Sequence, residues 1–204
     1  MYISNHTKLN NLFWINKRIF DVIVCIFLIP LLIIFSIILL FMNYFFNPGS
    51  LFFHQDRMGK DCVSFSAYKF RTMKAVNEIT RNYDEPIEVD RITIMGKFLR
   101  KMRIDELPQV LNVLKGEMSL IGPRPDYYIH ALEYSKKIKG YKERYQILPG
   151  ITGLSQIKLG YAEGMEAIEK KTIIDNYYIQ NTSYIIELKI IFYTIITIIR
   201  CMGK

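Results

Sequence analysis

The dominant pattern in the chain is an apolar run at positions 19–46, IFDVIVCIFLIPLLIIFSIILLFMNYFF, 28 residues in which Asp21 is the only formal charge. As a straight helix it measures about 42 Å, more than the ~30 Å hydrocarbon core of a bilayer. It is also longer than the ~7–15 apolar residues of a signal peptide, and no small-residue cleavage site stands before Asn47-Pro48-Gly49. Pro30, near its middle, lacks an N–H and predicts a kink or a break. A second apolar concentration fills 183–204, where Glu187 and Lys189 interrupt the run and the stretch 190–199 is too short to span. It predicts an interfacial or core helix. Between these two, loose alternation over 50–70 predicts a short hairpin with Gly59 in its turn. The polar stretch 75–92, punctuated by Pro86, predicts an exposed loop. Helical periodicity follows over 95–102, 107–115, 127–145 and 164–180. The fold class expected is mainly α with a small β-hairpin (α+β), with a membrane-associated segment at 1–48 and a compact domain at 49–204.

Charge sharpens the membrane reading. The chain of 204 residues carries a formal net charge of +8, and basic residues flank the apolar run on both sides: Lys8, Lys17 and Arg18 before it, Arg57, Lys60, Lys69, Arg71 and Lys74 after it. The positive-inside bias places both flanks in the cytoplasm, which a re-entrant helix-break-helix near Pro30 allows. A tilted single span kinked at Pro30 is the alternative. Lys17 and Arg18 lie one helical turn before Asp21 and are its expected partners. The basic residues gather beside an apolar anchor, which points to membrane lipids and not to nucleic acid. Composition excludes disorder and collagen, and three scattered cysteines (Cys25, Cys62, Cys201) exclude a disulfide-stapled secreted domain. His6, His54 and His130 form no metal pattern, the Tyr127-Tyr128 and Tyr177-Tyr178 doublets read as packing, and the Asn5 and Asn181 glycosylation patterns are irrelevant on a cytoplasmic face.

Candidate chemistry concentrates in LRKMRIDELPQVLNVLKGEMSLIGPRP at 99–125. Leu107, Val110, Leu111 and Leu114 form one expected buried stripe, and Gly116 is placed to end the helix. Asp105 then falls at or near the N-cap, where replacement by Asn would cost about 1 kcal/mol if capping were its only role. Arg100, Lys101 and Arg103 precede the Asp105-Glu106 pair, and Arg124 follows between two prolines. Arginines beside carboxylates at a helix start suit phosphate chemistry, and a carboxylate acting on a pyrophosphate calls for Mg2+.

These residues carry a resemblance. KRIFD at 17–21, the Pro30 break, QDRMG at 55–59, AYKFRTM at 67–73, the stretch 95–125 with its DELPQ and GPRP elements, PGITGLSQI at 149–157 and DNYYI at 175–179 resemble the bacterial sugar transferase family, of the small monotopic polyprenyl-phosphate phosphoglycosyl transferase type. The resemblance covers nearly the whole chain and implies a minimal form. It implies transfer of a phosphosugar from a nucleoside diphosphate sugar, expected to be a UDP-sugar, to undecaprenyl phosphate, with release of nucleoside monophosphate. It implies Asp105 as the nucleophile that becomes an acyl phosphate, Glu106 as its dyad partner, and Mg2+ held by Asp105 and Glu106. Arg100 and Arg124 match phosphate-contacting positions, Lys69 matches the lysine of the KF motif, and Asp175 matches a carboxylate lining the pocket. It also implies ping-pong order, a re-entrant helix, and a place on the cytoplasmic face of the bacterial inner membrane. The reaction would be the first membrane step of polysaccharide or glycoconjugate assembly, with downstream glycosyltransferases as possible partners.

Three departures stand against the family pattern: Ile29 precedes Pro30 where serine is frequent, KLGYAEG at 158–164 replaces an Asn-Gly-Arg element, and Asp61-Cys62 occupies a hairpin turn where glycine is common. The rival reading is a catalytically silent membrane-anchored scaffold.

Overall fold

The computed structural model describes residues 11–74, 82, 83, 85, 88–160 and 164–200. The expectations for Pro86, Cys201, the Asn5-His6-Thr7 pattern, Lys8, part of the 158–164 stretch and most of the 75–92 loop lie outside the described residues.

The chain opens with a 36-residue helix, α1 (Asn11–Phe46), which contains Pro30 and is unbroken there. The helix-break-helix expected at Pro30 is therefore a continuous helix. The proline side chain is on the exposed face, while the inward stripe of Asp21, Cys25, Leu32, Leu39 and Asn43 continues on both sides of it. Packing on both sides outweighs one lost backbone hydrogen bond. Cys25 packs with Val110, Val113 and Met118, and Leu32 and Leu39 pack with Phe70, Met95 and Leu99. The opposite face of α1 is exposed and apolar, with Phe27, Ile37, Leu40, Phe41 and Phe45 among its residues.

Strands β1 (Phe52–Met58) and β2 (Ser64–Phe70) form the antiparallel hairpin, Phe52 opposite Phe70 and Met58 opposite Ser64. In the connection, Asp61 and Cys62 both take left-handed φ, at 56° and 62°, the region that glycine enters without penalty. Helix α2 (Ile94–Lys101), capped by Thr93, leads into a 3-10 turn (Ile104–Gln109) and then α3 (Val110–Lys115), which Gly116 ends with φ 85°. The buried residues of α3 are Val110, Asn112 and Val113, and Leu111 is exposed, so the stripe expected from the leucines is rotated. The reason is the 3-10 turn, whose tighter winding shifts the register of everything after it.

Strand β3 (Ser119–Ile121) pairs in parallel with β4 (Gly150–Thr152), a second small sheet absent from the expectations. Here Gly150 lies so close to Gly122 that a Cβ would sit 2.0 Å from the Gly122 nitrogen. The helix expected over 127–145 is two pieces, α4 (Tyr128–Lys137) and a 3-10 turn (Tyr141–Tyr145), divided at Gly140 with φ 77°. Three further helices follow among the described residues: α5 (Leu154–Leu159), α6 (Met165–Asn181) and α7 (Tyr184–Ile199).

Polar bonds fasten α1 to this body at both ends. Asp21 accepts from Ser119 Oγ at 2.7 Å and from the Leu120 N–H at 3.2 Å, and does not pair with the basic residues before it. Those are engaged elsewhere: Lys17 pairs with Glu187 of α7 at 2.6 Å, and Arg18 donates to the carbonyls of Val113 and Leu114, satisfying the end of α3. At the far end Asn43 donates to the Gly49 carbonyl at 2.6 Å, Asn47 donates to the Arg71 carbonyl at 3.0 Å, and Arg71 donates to the Asn47 carbonyl. Among the described residues α1 is the one helix long and apolar enough to cross a membrane. On this geometry Asp21→Ala leaves the Leu120 N–H without its acceptor and costs about 1–3 kcal/mol, measured as a lower melting temperature in detergent, with Asp21→Asn costing less.

Candidate active site

The 3-10 turn brings Asp105 and Glu106 into the protein, both buried, between β2 and the loop that follows β3. Its leading residue is Arg103, in left-handed conformation with φ 56°, and no side chain caps the turn. Asp105 thus lies inside the first turn, two residues past the cap, because the chain reverses at Arg103 and the 3-10 geometry begins at Ile104.

The two adjacent carboxylates have opposite surroundings. Lys69, near the end of β2, donates to Glu106 Oε1 at 2.8 Å; Arg124 donates to Oε2 at 3.1 Å through one terminal nitrogen and to Oε1 through the other; and Arg103 lies 3.6 Å from Oε2. Both Glu106 oxygens are met by cations. Burial alone would raise this carboxyl, but Arg124 and Lys69 override it and hold it well below the usual carboxylate range. Asp105 has neither a hydrogen bond nor an ion pair to any side chain among the described residues. Burial, the largest influence, pushes its pKa up to about 6; Lys69 pulls it down, the Glu106 charge pushes it up, and Arg124 and Arg100 pull it down again. Adjacent carboxylates with divergent pKa values are a recurrent sign of divided roles.

Arg124 is aimed by the parallel ladder. Backbone bonds from Ser119 to Pro149, Gly122 to Thr152 and Gly150 to Pro123 stitch GPRP onto PGITG, and the Gly122–Gly150 approach admits no side chain there. Arg124 also reaches the Ile151 carbonyl at 3.5 Å. Arg100, in the last turn of α2, donates through Nε to Thr72 Oγ1 at 2.9 Å. The structure therefore brings Asp105, Glu106, Lys69, Arg100 and Arg124 together.

Asp175 stands apart from this group. It is 1% exposed and accepts from Arg144 Nε at 2.8 Å. Arg144 in turn donates to Asp126 at 2.7 Å and to the Arg124 carbonyl at 3.0 Å, and Lys171 also binds Asp126. Asp175 thus reaches the site through Arg144 and the backbone of Arg124. Burial lowers the Lys171 pKa to about 8 even though Asp126 opposes the shift. Sequence reasoning missed Asp126, Arg144 and Lys171. The available signal was Asp126 directly after GPRP; the other two sit in polar helical stretches that resemble solvated faces.

Among the described residues no group of three or more His, Cys, Asp or Glu side chains is placed to hold a metal. Magnesium needs less, since it is commonly held by one or two carboxylates together with substrate phosphates. The unpartnered, buried Asp105 carboxylate fits that role, whereas Glu106 would have to release Lys69 or Arg124 to join it.

With this geometry in view, comparison with known proteins gives a consistent answer. The bacterial sugar transferase family matches residues 12–201, and the chain belongs to that family. It is similar to the UDP-N-acetylgalactosamine-undecaprenyl-phosphate N-acetylgalactosaminephosphotransferase of Aeromonas hydrophila, 38% identical over 193 residues that cover 92% of this chain and 44% of that protein. It is similar to the UDP-glucose:undecaprenyl-phosphate glucose-1-phosphate transferase of Klebsiella pneumoniae, 37% identical over 195 residues, 93% of this chain and 41% of that protein. The uncharacterized sugar transferase EpsL of Bacillus subtilis is 40% identical over 184 residues, 88% of this chain and 85% of EpsL. The chain thus spans less than half the length of the first two relatives.

The raised Asp105 pKa has a consequence for stability. Between the ordinary value of 3.8 and the folded value of about 6, the folded protein holds a proton that the unfolded chain has released, so stability falls as pH rises through that window. Asp105→Asn escapes this penalty. In magnesium-free buffer its melting temperature exceeds that of the native protein at pH 8, and the gain shrinks as pH falls toward 4. A loss of stability at pH 8 would contradict the burial argument.

Proposed function

We propose that this chain transfers a phosphosugar from a UDP-sugar to undecaprenyl phosphate through a covalent aspartyl intermediate. The observation that carries the reading is the asymmetric dyad: Glu106 is saturated by Arg124 and Lys69, and Asp105 beside it has a carboxylate with no side-chain partner among the described residues. An Asp105 oxygen attacks the sugar-bearing phosphorus, and the bond from that phosphorus to the bridging oxygen breaks, releasing nucleoside monophosphate. An oxygen of undecaprenyl phosphate then attacks the same phosphorus, the acyl-phosphate bond breaks, and the Asp105 carboxylate is restored with undecaprenyl diphosphosugar as product. Arg100 and Arg124 face the phosphoryl oxygens, and Lys69 with Arg124 keeps Glu106 ionised, so that its proton is never in play. Asp105, and Glu106 if it releases a cation, would hold Mg2+, which when bound neutralises pyrophosphate charge.

The membrane arrangement in this reading is monotopic. Asn16, Lys17 and Asp21 at one end of α1, and Asn43 and Asn47 at the other, are all bonded to or beside one body, which favours both ends on one face of the bilayer over a span that separates them. The exposed apolar faces of α1 and α7 then meet lipid and bring the dyad to headgroup height, where undecaprenyl phosphate and the cytoplasmic nucleotide sugar are both accessible.

Incubation of the purified protein in detergent with Mg2+, undecaprenyl phosphate and a panel of UDP-sugars should release UMP with at least one of them. Asp105→Asn should lower that release by three orders of magnitude or more while remaining folded, in line with loss of a nucleophile. A silent scaffold releases no UMP from any donor, and full activity of Asp105→Asn would remove that residue from the nucleophile role.

A further inference from the structure

The cations of the site differ in what already occupies them. Lys69 and Arg124 are bound to Glu106, and Arg103 lies 3.6 Å from it. Arg100 has its Nε fixed on Thr72 Oγ1 at 2.9 Å, and its two terminal nitrogens have neither a hydrogen bond nor an ion pair among the described residues. An arginine has five N–H donors, so four remain in a planar fork whose orientation Nε has set. The Arg100 charge helps to lower the Asp105 pKa, so the guanidinium is within electrostatic range of that carboxylate.

Thr72 is buried and held by its backbone. Its carbonyl accepts from the Thr93 N–H at 3.1 Å and from Thr93 Oγ1 at 3.4 Å, and Gly96 packs so tightly that a Cβ would lie 2.0 Å from that oxygen. Its neighbour Arg71 donates its N–H to Leu51 at 2.9 Å. The segment is fastened by main chain on both sides, so the hydroxyl is not required to hold it, and the hydrogen bond it accepts comes from Arg100.

We propose that Thr72 is a positioning residue: its hydroxyl aims the Arg100 guanidinium fork at the diphosphate of the nucleotide sugar. This rests on the transferase reading above. A free arginine side chain would have to be ordered by the substrate; one anchored at Nε is ordered beforehand, and more of the binding energy reaches the complex.

The test uses the full chain in detergent with Mg2+, calorimetric titration with UDP and with inorganic pyrophosphate, and UMP release from a UDP-sugar. Thr72→Val should weaken both ligands about ten-fold and raise KM by a similar factor with a smaller change in kcat, as expected for one lost charge-assisted hydrogen bond. Thr72→Ser keeps the hydroxyl and should stay within about two-fold of native in both measurements. In an Arg100→Lys background, which has no Nε to anchor, Thr72→Val should add no further weakening. The proposal is overturned if Thr72→Val binds as native does, if its effect persists undiminished with Lys at position 100, or if Ser falls as far as Val. Native protein that binds UDP but releases no UMP, with Thr72→Val still weakened, would upend the transferase reading and leave the positioning role standing. Native protein that binds neither ligand overturns both.

Discussion

The site depends on one constraint: Glu106 is buried beside another carboxylate and must be neutralised. Arg124 and Lys69 do so from two separate elements, one from the loop after β3 and the other from β2. A buried carboxylate without such partners would cost several kcal/mol or take up a proton. Because Glu106 claims both cations, Asp105 is left buried with a carboxylate that no side chain bonds among the described residues. Two side chains adjacent in sequence thereby differ in chemistry, and the difference arises from the position of two cations.

The rest of the globular part acts as a mount for those cations. The few residues closing β2 serve three ends at once: Lys69 reaches Glu106, Arg71 binds the end of α1, and Thr72 holds Arg100. On the other side, the parallel ladder between GPRP and PGITG and the Arg144–Asp126–Asp175 cluster behind it hold the Arg124 backbone. The motif glycines explain themselves here, since two main chains approach too closely at Gly122 and Gly150 for any Cβ.

Much of this was legible in the sequence, and unevenly so. The apolar run became α1, the alternation over 50–70 became the hairpin, and the convergence of Arg100, Arg124 and Lys69 on the Asp105-Glu106 pair follows the motif reading. Three kinds of fact were hidden. Periodicity assumes α geometry, so it misplaced Leu111 once a 3-10 turn intervened. Local spacing paired Lys17 and Arg18 with Asp21, but their real partners, Glu187 and the α3 carbonyls, are more than ninety residues away along the chain. The β3–β4 ladder has three residues per strand, too few for alternation to register.

The inward stripe of α1 has a bearing on how this protein can be handled and how it can vary. Cys25, Leu32 and Leu39 complete two of the hydrophobic clusters of the globular part, and Asp21 supplies the acceptor for Leu120. The long apolar helix is thus also a wall of the interior. Deleting it to obtain a water-soluble fragment would strip Phe70, Leu99, Val110 and Val113 of their cover, and an unrelated hydrophobic anchor grafted in its place would not restore it.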